Sequence, residues 1–94
     1  MKYELSQHAK DVISNREIDI KWIDDVLSQP TKKDIVNDRE VHFFKSIVDA
    51  SNKCLKVLVN PINEKIITAY FDRNMQKKGC KWKLNMTIKQ ILFM

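Results

Sequence analysis

In the stretch Lys65 to Asp72, K-I-I-T-A-Y-F-D, a hydroxyl and a phenol stand two residues apart. Isoleucines, a threonine and two aromatics with no helix former beyond Ala69 predict a strand near the middle of a sheet. Side chains alternate along a strand, so Thr68 and Tyr70 share a face with Ile66 and Asp72, while Ile67, Ala69 and Phe71 share the other. A stiff backbone therefore aims Thr68 and Tyr70 at one small ligand. His8 and His42 add imidazoles, whose ordinary pKa near ~6.5 suits either proton role. Arg16 adds a guanidinium fork that fits a phosphate bidentately. Each has an ordinary structural reading as well: His8 as a helix-edge cap, Arg16 paired with Glu17 or Asp19, Thr68 as strand filler, Tyr70 as core with its hydroxyl at the rim.

Charge narrows the kind of ligand. Residues 1–72 hold eleven Lys and Arg against twelve Asp and Glu, a net −1. Residues 73–94 hold Arg73, Lys77, Lys78, Lys81, Lys83 and Lys89 with no acid, a net +6, so the whole excess of +5 sits in the last quarter. Clustered lysines attract phosphate or an acidic partner over about 10 Å at moderate salt. The competing reading is a lysine-rich face that only keeps the protein in solution.

These residues must be held by a small scaffold. At 94 residues the chain is long enough for one modest core, and 44% apolar with 31% charged residues marks an ordinary globular domain. The apolar residues Leu5, Ala9, Val12 and Ile13 form one helical stripe from Ser6, a natural N-cap, to Asn15. His8 falls at its edge. Asp19 caps a second helix through Ser28, with the stripe Ile20, Ile23, Val26 and Leu27, and Pro30 ends it. Two such helices cannot bury both stripes alone and need a sheet. Thr31–Asn37 is a weak strand or an irregular approach, Asp38-Arg39 a turn, and Val41–Asp49 a clear strand. Leu55, Val57 and Val59 alternate with Lys56 and Leu58 in the next. Short loops between these strands and the 65–72 stretch favour an antiparallel meander. Lys78-Gly79 is a natural turn, and from Cys80 to Lys89 strict alternation predicts a half-buried strand with a basic outer face. Trp22 and Trp82 read as packing residues, although Trp82 between Lys81 and Lys83 also fits a base-stacking platform.

A helical hairpin followed by a meander whose late strand carries I-I-T-A-Y resembles the RelE-like and BrnT-like toxins of bacterial toxin–antitoxin pairs. The likeness is nearest to a small family of uncharacterised bacterial proteins of that fold. It rests on L-S-Q-H-A at Leu5 to Ala9, R-E-I at Arg16 to Ile18, the V-L-S-Q-P that ends the second helix, the L-K-V-L-V strand and I-I-T-A-Y. It covers about residues 3–72. The wider group, which includes barnase, EndoU and RelE, implies metal-independent endoribonuclease activity by attack of the 2′-hydroxyl, in a cleft between the helices and the sheet. On that resemblance His8, Arg16, Thr68 and Tyr70 occupy the catalytic positions, with His8 exchanging protons, Arg16 clamping phosphate, Thr68 donating to it and Tyr70 stacking a base or donating its phenol. The same resemblance implies an acidic antitoxin as partner. The chain departs from the group in lacking a hairpin glycine near Ser51 to Lys53 and in its long basic extension.

The resulting expectation is an α+β domain over residues 1–94: a helical hairpin (1–30) on an antiparallel sheet of about four strands, RelE-like, with the meander at 31–72 and a basic strand and apolar tail at 73–94. RNA is the expected ligand, met by His42, Lys77, Lys78, Lys81, Lys83 and Lys89. The alternative is a binding module without catalysis, for nucleic acid through Lys77 to Lys89 or for protein through the tail Ile91 to Met94, which also suits a homo-oligomer. No cofactor or metal site is expected, since no ligand spacing is present. With no apolar run of membrane length and no signal-peptide core, the expected location is the cytoplasm. Cys54 and Cys80, far apart in the chain, read as reduced, packed thiols.

Overall fold

Ser6 starts the first helix as its residue type suggests: its backbone is extended and its hydroxyl accepts the Ala9 N–H at 3.0 Å. The computed structural model of the chain describes residues 2–77 and residue 80. Helix α1 spans Gln7–Asn15 and buries Ala9 and Ile13. Helix α2 spans Ile20–Ser28, capped by Asp19 through the Lys21 N–H at 2.9 Å, and buries Ile23 and Val26.

The turn between the helices fixes the direction of Arg16. The Ile18 N–H donates to the Ile13 carbonyl at 3.0 Å and the Glu17 N–H to Ser14 at 3.2 Å, the paired bonds that close a helix end around one left-handed residue. That residue is Glu17, at φ 55°. Ile18 and Ile13, 4% and 8% exposed, both enter the core and lock the turn from inside.

Among the described residues the sheet has five strands in the order β1-β5-β4-β3-β2: β1 Glu4–Leu5, β2 Lys32–Asn37, β3 Glu40–Ile47, β4 Lys53–Asn60 and β5 Lys65–Phe71. Four of them form the expected antiparallel meander, and β1 adds a short parallel pairing, Glu4 with Lys65 and Leu5 with Ile66. The described sheet is therefore mixed, with five strands where an antiparallel sheet of about four is expected. An α+β architecture is common to expectation and structure. The hairpin turn before β4, where glycine is missing, is made by Ser51 and Asn52, both at φ 60°. Both helices lie on the face that carries Val41, Phe43, Ile47, Leu55, Val57, Val59, Ile66 and Ala69, and these residues with Ala9, Ile13, Ile23 and Val26 make the main core. Each fully buried aliphatic side chain there contributes about 1.5–3 kcal/mol. Lys45, on the helix side of β3, reaches Asp25 of α2 at 2.8 Å and ties the layers at their rim.

Four expectations need correction. The strand at Lys65 lies next to the edge rather than in the middle, because β1 covers only its first two residues. Its alternation is broken: Leu58 pairs with Thr68 but Val59 with Ile66, so Ile67 is an extra, bulged residue, and Ile66 joins the core. After Asp72 the chain forms a short helix, α3, Arg73–Lys77, whose N-cap is Asp72, accepting the Met75 N–H at 3.0 Å. Finally, Cys54 and Cys80 are joined as a disulfide with Cα atoms 5.4 Å apart, not separate thiols. Met75 and Cys80 pack on Phe44 and Cys54 as a second cluster on the other side of the sheet. Residues 81–89 of the expected basic strand, Trp82 and the tail Ile91 to Met94 lie outside the described residues, as do Lys78 and the side chain of Lys77. Among the described residues no helix is long and apolar enough to cross a membrane.

Two predictions follow from these local geometries. Glu17 adopts a conformation that costs a residue with a Cβ about 1–2 kcal/mol, so Glu17→Gly should raise stability to denaturant by roughly 0.5–1 kcal/mol, even after the added freedom of glycine in the unfolded chain. At the β1–β5 pairing, the hydrogen bond from Lys65 to Glu4 at 2.7 Å, then the charge of Lys65 and more weakly that of Lys10, hold the Glu4 carboxyl below the usual carboxylate range. A lowered folded-state pKa gives stability that is present above the ordinary value and lost as pH falls through the lowered one. An NMR titration of Glu4 should show this depressed midpoint, and Lys65→Met should return it to the ordinary range.

Candidate functional site

The bulge at Ile67 lets β5 serve two faces at once. Ile66 and Ala69 point into the core, while Thr68 and Tyr70 are half-buried on the opposite, outer face. Cross-strand register then sets their neighbours. Tyr70 lies opposite Lys56, which lies opposite Phe44, and Phe44 opposite Lys32. Thr68 lies opposite Leu58, Leu58 opposite His42, and His42 opposite Asp34. The outer face thus carries two parallel rows, with His42 in one and Tyr70 in the other.

Arg16 reaches this face around the part of β5 that β1 leaves uncovered. Its Nη1 donates to the Ala69 carbonyl at 2.9 Å, and its guanidinium carbon is 5.8 Å from the centre of the Tyr70 ring. The Lys56 ammonium is 5.4 Å from that ring and also 5.4 Å from the ring of Phe44. Tyr70 is therefore in contact with two cations, a favourable electrostatic arrangement for an aromatic face. Lys56 has a carboxylate at hand, Asp72 at 4.0 Å, whereas no carboxylate pairs with Arg16 among the described residues. Lys32, 5.8 Å from the Phe44 ring, is bridged to Asp34 at 3.5 Å.

His42 is held tightly. Its Nε2 lies 2.5 Å from the Glu40 carboxylate, and its ring meets Phe44 edge-on at 6.5 Å. A carboxylate on one ring nitrogen fixes the ring's orientation and leaves the other nitrogen for a ligand.

Of the expected site residues, the structure brings Arg16 and Tyr70 into contact and places Thr68 and His42 on the same face. His8 stands apart. It is exposed near the start of α1, eight residues from Arg16, or about 12 Å along the helix axis at 1.5 Å per residue. There it lines a separate hollow of about 580 Å³ with Lys10, Asn60, Asn63, Lys65 and Ile67. The reason is the helix itself: Leu5 and Ala9 face the sheet, and His8, one residue before Ala9, turns toward the loop that closes the β4–β5 hairpin. Lys56, Phe44 and Glu40 were not among the expected site residues. The alternation of Lys56 with Val57 and Leu55 did place it off the core, but only the strand register shows that it faces Tyr70. Among the described residues no three His, Cys, Asp or Glu side chains are grouped to hold a metal ion.

Comparison with known proteins adds one finding. No curated protein and no solved structure matches the chain. Residues 5–71, which run from the second residue of β1 through the last residue of β5 and include Arg16, Lys56 and Tyr70, match the model of a domain of unknown function, DUF4258, and the chain belongs to that family.

Proposed function

We propose that the domain binds RNA on the outer face of its sheet, and that Arg16, Tyr70 and Lys56 form the grip. The observation that carries this reading is the Tyr70 ring flanked by two cations, one of them a guanidinium that has no acidic partner among the described residues. A single-stranded nucleic acid offers the matching pair of features, a π-face to stack and a phosphate to neutralise. A base stacks on Tyr70. The phosphate beside it takes the Arg16 N–H donors left over from the Ala69 carbonyl, together with the Lys56 ammonium. Thr68 donates its hydroxyl to the same backbone. In the toxin–antitoxin setting that the sequence resembles, an acidic antitoxin segment competes for the same cations.

A second reading is favoured by the His42–Glu40 pair: metal-independent cleavage of the bound RNA. Here His42, rather than His8, takes the 2′-hydroxyl proton, and Arg16 and Lys56 stabilise the charge that builds on the phosphorus centre. The bond formed is from the 2′-oxygen to phosphorus and the bond broken is from phosphorus to the 5′-oxygen, which takes a proton from solvent as it leaves, so one product ends in a 2′,3′-cyclic phosphate and the other begins with a free 5′-hydroxyl.

Binding is tested by fluorescence anisotropy with a labelled single-stranded RNA. Arg16→Ala and Tyr70→Ala should each weaken it at least tenfold, about 1.4 kcal/mol, with a shallower salt dependence for Arg16→Ala. His8→Ala should stay within twofold of the parent. Affinity untouched by the Arg16 change removes the proposed grip.

Cleavage is tested on the same RNA in the presence of EDTA. His42→Ala should lower the rate by about 100-fold or more while leaving binding within a few-fold. Equal rates for the parent and this variant leave only the binding reading.

A further inference from the structure

We infer that the Cys54–Cys80 bond governs access to the Arg16–Tyr70–Lys56 face, so that reduction opens it and raises affinity for RNA; this rests on the RNA-binding reading above. The argument begins with α3. It has five residues, far fewer than the roughly 12–15 that an isolated helix needs to persist in water. Its place on the sheet must come from what it touches. Among the described residues those contacts include Met75, 6% exposed, packed with Phe44 and Cys54, and Cys80, wholly buried in the same cluster. The Cys80 N–H also donates to the Met75 carbonyl at 2.7 Å, so the seating of Cys80 and of the helix is one event.

The seated helix bears directly on the grip. Its N-cap, Asp72, accepts the Met75 N–H with one carboxylate oxygen and stands 4.0 Å from the Lys56 ammonium with the other. Lys56 lies two residues after Cys54 on the same face of β4, with its side chain 15% exposed. While α3 is held, Asp72 offsets the Lys56 charge, and Phe44, 3% exposed, is unavailable as a second ring for a base. Breaking the sulfur bond leaves a helix too short to stay seated. Asp72 then loses its capping role, and Lys56 and Phe44 become available beside Tyr70.

The chemistry balances with a thiol reductant. A small dithiol gives up two electrons and two protons and closes to its own disulfide, while Cys54 and Cys80 become two thiols. A disulfide of the glutathione type reverses the step. In a compartment whose thiol pool is reducing, such a bond forms as a signal rather than as a permanent staple.

The test uses the full chain, isolated after oxidation by glutathione disulfide, and compares it with the same protein treated with dithiothreitol and with Cys80→Ser. Trypsin cleavage after Arg73, followed by mass spectrometry, reports whether α3 is seated independently of any RNA. Anisotropy with the labelled single strand reports the face. Reduction and Cys80→Ser should each speed cleavage at Arg73 at least tenfold and tighten RNA binding at least fivefold, with the far-ultraviolet circular dichroism of the domain retained. Cleavage at Arg73 that is equally slow in both redox states overturns the inference, as does a chain in which glutathione disulfide leaves both thiols free. Faster cleavage with tighter RNA binding supports it. Faster cleavage in a protein that binds no RNA in either state upholds the control of α3 and removes the RNA reading. Faster cleavage with unchanged RNA affinity overturns the inference and leaves the grip standing.

Discussion

The constraint on which the rest depends is the one extra residue in β5. A strand with strict alternation shows a fixed set of side chains to each face, and a shift of one residue exchanges the sets. At the start of β5, Ile66 must enter the core opposite Val59, beneath α1, and further along Ala69 must enter it opposite Val57. These positions are three apart and cannot share a face without an irregularity. Ile67 supplies it. Both ends of the strand are thereby anchored to the core while Thr68 and Tyr70 point away from the helices, beside Leu58 and Lys56. A bulge here is the local device that makes one strand both a core element and one wall of a site.

The second dependence is the placement of Arg16 by the way α1 ends. A helix that stopped one residue earlier or later would carry the guanidinium about 100° around the axis and away from the sheet edge. Its position is fixed from both sides. Ile13 and Ile18 hold the turn through the core, and the Ala69 carbonyl holds the far end of the side chain. The carbonyl is accessible because β1 is only two residues long and, among the described residues, no other strand pairs with that edge of β5. The same short strand that closes one end of the sheet therefore opens the place where Arg16 crosses it.

How much of this is legible in the sequence depends on the range of the interactions. Both helices follow from local signals, since Ser6 and Asp19 cap within three residues and the stripes repeat every three or four. The meander follows from alternation and short loops, and the pairing of Thr68 with Tyr70 on one face survives the bulge because both lie beyond it. What could not be read depends on contacts distant in sequence. Two residues at Glu4 carry too little pattern to show that they pair with Lys65. The bulge is dictated by which residues the helices cover. A partnership of Cys54 with Cys80 requires the chain to return across the outer face by way of α3, and a five-residue helix capped by Asp72 leaves almost no periodic trace. The distance of His8 from the Arg16–Tyr70 pair has a related cause: its angle on the helix follows from the spacing, but the point where the start of the helix meets the sheet does not.

The electrostatics of the outer face decide which of its cations matters most. Among the described residues three positive side chains approach its aromatic rings, and two of them are bridged to acids on the same face, Lys32 to Asp34 and Lys56 to Asp72. An incoming phosphate has to compete with those carboxylates, which reduces what either lysine adds to binding. Among the described residues Arg16 meets a neutral carbonyl and a ring and no carboxylate, so its charge is available, and the carbonyl bond uses one of its five donors to hold the other four in place. A lysine at the same position would have fewer donors to divide and no planar group to lay against Tyr70. The pull of this face on a polyanion is therefore concentrated at the strand edge where α1 ends, and the lysines further in become effective only as their acidic neighbours withdraw.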